Sequence, residues 1–168
     1  LWRTGAGRVD AGVAMRFSYH PWTSVVAAVA VWLGLMPLAT MVQGVGYLIE
    51  TGLVVATAGL IGLGAAALRL PRAAVLLGQI LGVGAMVTWR ALALSGAALS
   101  EPIEAMRFLV AEGLVTIRTG AAPVEPTPGL LWLIVLFTAL LVLVVELLVN
   151  VLEQPAWAIA PLALAYGI

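Results

Sequence analysis

Few side chains in this sequence can do chemistry, and most of those that can lie within or beside long apolar runs. Glu50 and Arg90 are opposite charges at the ends of two such runs, and Gln79 lies inside one of them. Glu146, Asn150 and Glu153 follow one another at helical spacing near the end of a third run and so share a helix face. Arg69 and Arg72 bracket the short basic turn Arg69-Leu70-Pro71-Arg72. A carboxylate inside a bilayer is a functional hypothesis by default, as a proton or ion relay. A relay needs a series of acids, however, and only Glu50 and Glu146 qualify.

Each group also has a structural reading. Glu50 and Arg90 either pair with one another or reach the headgroups separately. Glu146 lies near a helix end, at the same end as Arg69 and Arg72, where an acid is more often a structural partner or a snorkelling group. Gln79 reads as an interhelical hydrogen-bond partner rather than a substrate contact. His20, beside Pro21 and Trp22, is the one histidine and reads as a polar interface residue. There is no cysteine, hence no thiolate nucleophile or thiolate metal site, and no phosphate loop, nucleophile elbow or zinc pattern occurs. No catalytic residue, metal or cofactor is expected, and the chain is not expected to be an enzyme by itself.

The elements that position these residues follow from composition. Hydrophobic residues make up 63% of the chain and charged ones 10%, with a mean hydropathy of +1.13, whereas soluble domains carry about 25% charge. The bilayer is therefore the expected solvent and partner. Crossing ~30 Å of hydrocarbon takes about 20 residues per helix. The apolar runs predict an all-α, polytopic transmembrane bundle with full spans over 22–42, 45–68, 73–90 and 129–152, and a fifth span begun at 156–168. Pro37 falls near the end of the first span, where its missing N–H costs least. The chain reads as a piece of a longer protein, so the rest of its own chain and other membrane subunits are expected partners. The net charge is zero and every base is arginine, which gives no basic surplus for nucleic acid.

Between the third and fourth spans, Ser100 can cap a helix with Pro102 in its first turn. Ile103, Met106, Val110, Leu114 and Ile117 then recur at helical spacing, away from Glu104, Arg107 and Arg118. This predicts an amphipathic surface helix over 100–119, either a lid or docking helix or one lying at the headgroups. Arginines set the orientation: Arg3, Arg8, Arg16, Arg69 and Arg72 fall on one side, and Arg90, Arg107 and Arg118 on the other. The short basic hairpin weighs more than the long loop, which places residues 1–20 in the cytoplasm and the surface helix outside. Trp22 and Trp157 then mark the inner interface and Tyr47, Trp89 and Trp132 the outer one.

Ala58, Gly62 and Ala66 form a small-residue stripe in the second span, and Ala74, Gly78 and Gly82 form another in the third. Folding at Leu70 brings the stripes level, which predicts that these two spans pack as the closest pair and places Glu50 level with Arg90.

The stretch from about Ile103 to Ile168 resembles the membrane-embedded N-terminal domain of bacterial transglutaminase-like proteins of the TgpA type. The residues that carry the resemblance are Glu112-Gly113-Leu114, Arg118, Ala122-Pro123-Val124, Pro126-Thr127-Pro128-Gly129-Leu130, Val145-Glu146-Leu147-Leu148-Val149, and Gln154-Pro155-Ala156 through Pro161-Leu162-Ala163-Leu164-Ala165-Tyr166. Arg69-Leu70-Pro71-Arg72 fits that family's cytoplasmic hairpin. The sequence departs from the family at Glu146, where Asp is usual, and at Glu153-Gln154, where basic residues are usual. The resemblance implies a bacterial cytoplasmic-membrane protein whose spans precede an extracytoplasmic papain-like domain with a Cys, His and Asp triad, and no residue of that triad lies in this chain. A transporter or channel component, or an accessory subunit of a larger membrane complex, is the alternative reading, with Glu50, Arg90, Gln79 and Glu146 along a polar path.

Overall fold

In a computed structural model, residues 21–121 and 123–148 are described, with backbone alone for residues 21–24 and for Arg72. Every regular element among the described residues is a helix: α1 Pro21–Gly34, a 3-10 turn Met36–Thr40, α2 Gly46–Ala67, α3 Arg72–Ser95, α4 Pro102–Thr119 and α5 Pro128–Glu146. Three of them, α2, α3 and α5, are long and apolar enough to cross a membrane. At 22, 24 and 19 residues, they extend about 28–36 Å at helical rise.

The first predicted span is corrected. Instead of one helix over 22–42, α1 stops at Gly34 after 14 residues, and the chain tightens into the 3-10 turn. Pro37 cannot donate to the preceding turn and its ring clashes with the carbonyl four residues back, so the α-helix ends before it. The segment after the turn is held instead by the loop before α5. Val124 N donates to Met41 O at 2.8 Å and Gln43 N to Val124 O at 3.0 Å, closing an isolated parallel bridge between Val42 and Val124.

The hairpin between α2 and α3 ends α2 in a Schellman arrangement: Arg69 N donates to Ala66 O at 3.1 Å and Leu70 N to Ala65 O at 3.0 Å. This geometry puts Arg69 at φ 53°, the left-handed position usually held by glycine. Pro71, extended at ψ 149°, then starts α3. Gly96, at φ 68°, takes the same left-handed position to end α3.

The core is continuous across α1, α2, α3, α4 and α5, through Val31, Val54, Ala58, Val83, Ala91, Leu109 and Val135. A second cluster, Val42, Tyr47, Leu130 and Ile134, seals the end where α2 and α5 begin. The outward surfaces of the long helices are apolar, including Leu60, Leu77, Leu81 and Leu140.

In α4 the buried residues are Ala105, Leu109 and Gly113. The stripe from Ile103 to Ile117 stays exposed or half-buried, on the surface of the bundle. Small residues on the other face permit a closer approach to α5, and closeness decides which face is buried. Ser100 does not cap the helix: Glu101 occupies that position and makes no side-chain cap.

Candidate functional site: polar groups between the helices

The candidate site is the set of polar side chains that the bundle encloses. The α2–α3 hairpin lays the two helices antiparallel, which carries Glu50 to the depth of Arg90. Arg90 Nη2 donates to Glu50 Oε1 as an ion pair, with 15% and 19% of the two side chains exposed. The Arg90 guanidinium also lies 5.6 Å from the Trp89 ring centroid. Nearer the middle of the same pair, Gln79 Nε2 donates to Ala58 O at 3.4 Å, and both residues are buried.

Two tryptophans make the same kind of bond. Trp132 Nε1 on α5 donates to Val87 O on α3 at 3.2 Å, and Trp32 Nε1 on α1 donates to Leu48 O on α2 at 3.0 Å. Gly52 leaves room beside this indole; a Cβ there would stand a tight 3.3 Å from Trp32 Nε1. The three aromatics expected at the outer interface differ in burial. Trp89 is exposed, but Tyr47 and Trp132 are 1% and 3% exposed and belong to the core. An indole N–H usually finds a hydrogen-bond partner when buried, as that of Trp132 does.

The two small-residue stripes do lie where α2 meets α3, but they do not meet small to small at every level. Ile61 of α2 occupies the space over Gly78 and Gly82; a Cβ on Gly78 would sit 3.4 Å from its Cγ2. Ala58 and Gly62 are buried, and Ala66 and Ala74 are partly exposed. The backbone-to-backbone contact expected of α2 and α3 is made by α4 and α5. There a Cβ on Gly113 would stand 2.7 Å from Gly129 O, and one on Gly129 would stand 2.5 Å from Gly113 N. Sequence reading missed this crossing because the two glycines lie 16 positions apart in different elements, with no stripe to mark them.

The same crossing caps α5. Glu112 Oε2 accepts from Gly129 N at 2.9 Å, Thr127 Oγ1 accepts from Leu130 N at 3.3 Å, and Thr116 and Thr127 share a hydrogen bond of 3.1 Å. A carboxylate at a helix N-terminus satisfies an orphan donor and complements the macrodipole.

Glu146 closes α5 and is 2% exposed. Arg69, at the hairpin, is exposed. The side chains of Trp22 and Arg72, together with Asn150, Glu153, His20, Trp157, residues 1–20 and the fifth span over 156–168, lie outside the described residues. Among the described residues, no group of three or more His, Cys, Asp or Glu is placed to hold a metal ion.

These features define a helical bundle with three helices of membrane-crossing length and polar contacts that tie helix to helix. No family model, curated protein or solved structure matches the chain.

Proposed function

We propose that the chain is the membrane anchor and scaffold of a longer, transglutaminase-like protein, set in a bacterial cytoplasmic membrane. Its N-terminus is cytoplasmic, α4 is on the opposite side, and the catalytic domain is extracytoplasmic and beyond this chain. The observation that supports this reading is where the enclosed polar groups are spent. Arg90 faces Glu50, Gln79 the Ala58 carbonyl, Trp132 the Val87 carbonyl and Trp32 the Leu48 carbonyl. Groups engaged in binding helices to one another hold a scaffold rigid, whereas a conducting path needs polar groups lining open space.

A second reading, as a transporter or channel component, has one specific observation in its favour. Among the described residues, Glu50 Oε2, Arg90 Nε and the Tyr47 hydroxyl are buried with no hydrogen-bond partner. Two measurements separate the readings. Reading the gene beyond the Ile168 codon is expected to give a soluble domain with Cys, His and Asp; only further spans would overturn the anchor. Liposomes containing the purified chain, loaded with pH- or potassium-sensitive dye, are expected to hold their gradients as empty liposomes do. Dissipation that disappears in Glu50→Gln would favour transport.

A further inference from the structure

We infer that the outward groove of α4 binds a single anionic phospholipid, with an acyl chain along Ile103, Met106, Val110 and Leu114 and the headgroup phosphate on Arg107. The inference rests on the membrane reading above and names a ligand for the surface of that domain. The groove has a volume of about 440 Å³ and is lined by those residues with Ala111, so that one cation borders an otherwise apolar trough. Ile103 is 69% exposed and Leu114 43%, a large apolar surface uncovered by any of the described residues.

Depth and charge identify the occupant. Gly113 packs on Gly129 and Thr116 bonds to Thr127, so α4 lies beside the first turn of a helix long enough to span. The first turn of a spanning helix lies at the headgroups, where acyl chains begin and phosphates are concentrated. Along α4, Glu104, Arg107, Ala111 and Arg118 fall opposite the buried Ala105, Leu109 and Gly113, with the apolar groove between the two arcs. A helix of this pattern seats its apolar flank among acyl chains and keeps its charged arc at the phosphates. Arg107 meets Glu104 at only 3.9 Å, with both side chains more than 70% exposed. Such a pair contributes little, and a guanidinium gains more from a phosphate it can grip with two donors.

The test uses the full chain. Flotation with vesicles of phosphatidylglycerol and phosphatidylcholine in equal parts comes first, and wild type, Arg107→Gln, Glu104→Gln and Ala111→Trp are all expected to float. If the wild type does not, the membrane reading falls and this inference falls with it. Each protein is then extracted into mild detergent and its retained lipid counted by native mass spectrometry. One phosphatidylglycerol should remain on the wild type, in preference to phosphatidylcholine. Retention should fall at least about fivefold in Arg107→Gln and in Ala111→Trp, which fills the trough, and should rise in Glu104→Gln, which removes the competing carboxylate. Floating protein that retains both lipids equally, or retention indifferent to Arg107 and Ala111, would overturn the inference and leave the anchor intact. So would a cross-link through residue 111 to a second copy in place of lipid.

Discussion

Arg90 on α3 donates to Glu50 on α2 across 40 positions of sequence, and this contact fixes the register of the hairpin at the end away from its turn. Both side chains are largely enclosed, so removing one leaves the other charged and partnerless. Glu50→Ala and Arg90→Ala are each expected to destabilise the bundle by about 2–3 kcal/mol. The double variant, Glu50→Ala with Arg90→Ala, should cost less than the sum. Thermal unfolding of the four proteins in one detergent gives the coupling; additive losses would mean that the pair contributes nothing beyond each residue alone.

The glycines predict two different outcomes for one chemical change. At Gly113 the added methyl meets backbone, Gly129 O at 2.7 Å, which can retreat only if α4 and α5 separate. At Gly82 it meets the tip of Ile61, which can turn aside. Gly113→Ala should therefore cost about 1–3 kcal/mol, and Gly82→Ala clearly less, with any loss recovered by pairing it with Ile61→Val. Equal losses at both sites would refute the distinction between backbone and side-chain contact.

Capping of α5 is shared between two elements, so its loss should be graded. Thr127→Ala is expected to cost about 1 kcal/mol. Glu112→Ala is expected to cost a similar amount or somewhat more, because it removes both a hydrogen bond to Gly129 N and a charge at the helix N-terminus. Glu112→Gln can keep the bond and should lose only the charge contribution. Hydrogen exchange of the amides at the start of α5, followed by mass spectrometry, reads this locally; unchanged protection in Glu112→Ala would remove its role.

How far the sequence discloses this structure depends on the distance over which each signal acts. Apolar run length is local, so α2 and α3 are visible in it, and hairpin arithmetic across a four-residue turn is enough to bring Glu50 level with Arg90. The end of α1 is less legible: by run length Pro37 falls at the tail of a span, whereas Gly34 and Pro37 together stop the helix sooner. The face of α4 that packs on the bundle is not legible in the sequence for a different reason. Hydrophobicity marks Ile103 to Ile117, but the choice of buried face depends on how closely Gly129 of another helix approaches, which no periodicity within α4 records. Tyr47 and Trp132 likewise read as interface residues by type, and their burial depends on carbonyls and side chains supplied from elsewhere in the bundle.

The hairpin turn makes the last prediction. Arg69 adopts φ 53° because the Schellman bonds to Ala66 O and Ala65 O require a left-handed residue after the cap. A side chain with a Cβ carries a cost of about 1 kcal/mol there, which glycine does not. Arg69 is exposed, so little packing opposes its replacement. Arg69→Gly should then stabilise the chain by about 0.5–1 kcal/mol, offset in part by glycine's greater freedom in the unfolded state. Arg69→Ala separates conformation from charge, since it loses the guanidinium but keeps the Cβ, and it should give no gain. Unfolding midpoints of the three proteins in one detergent decide the matter: a gain in both variants would assign the effect to charge, and a loss in Arg69→Gly would show that the arginine makes contacts that outweigh its backbone strain.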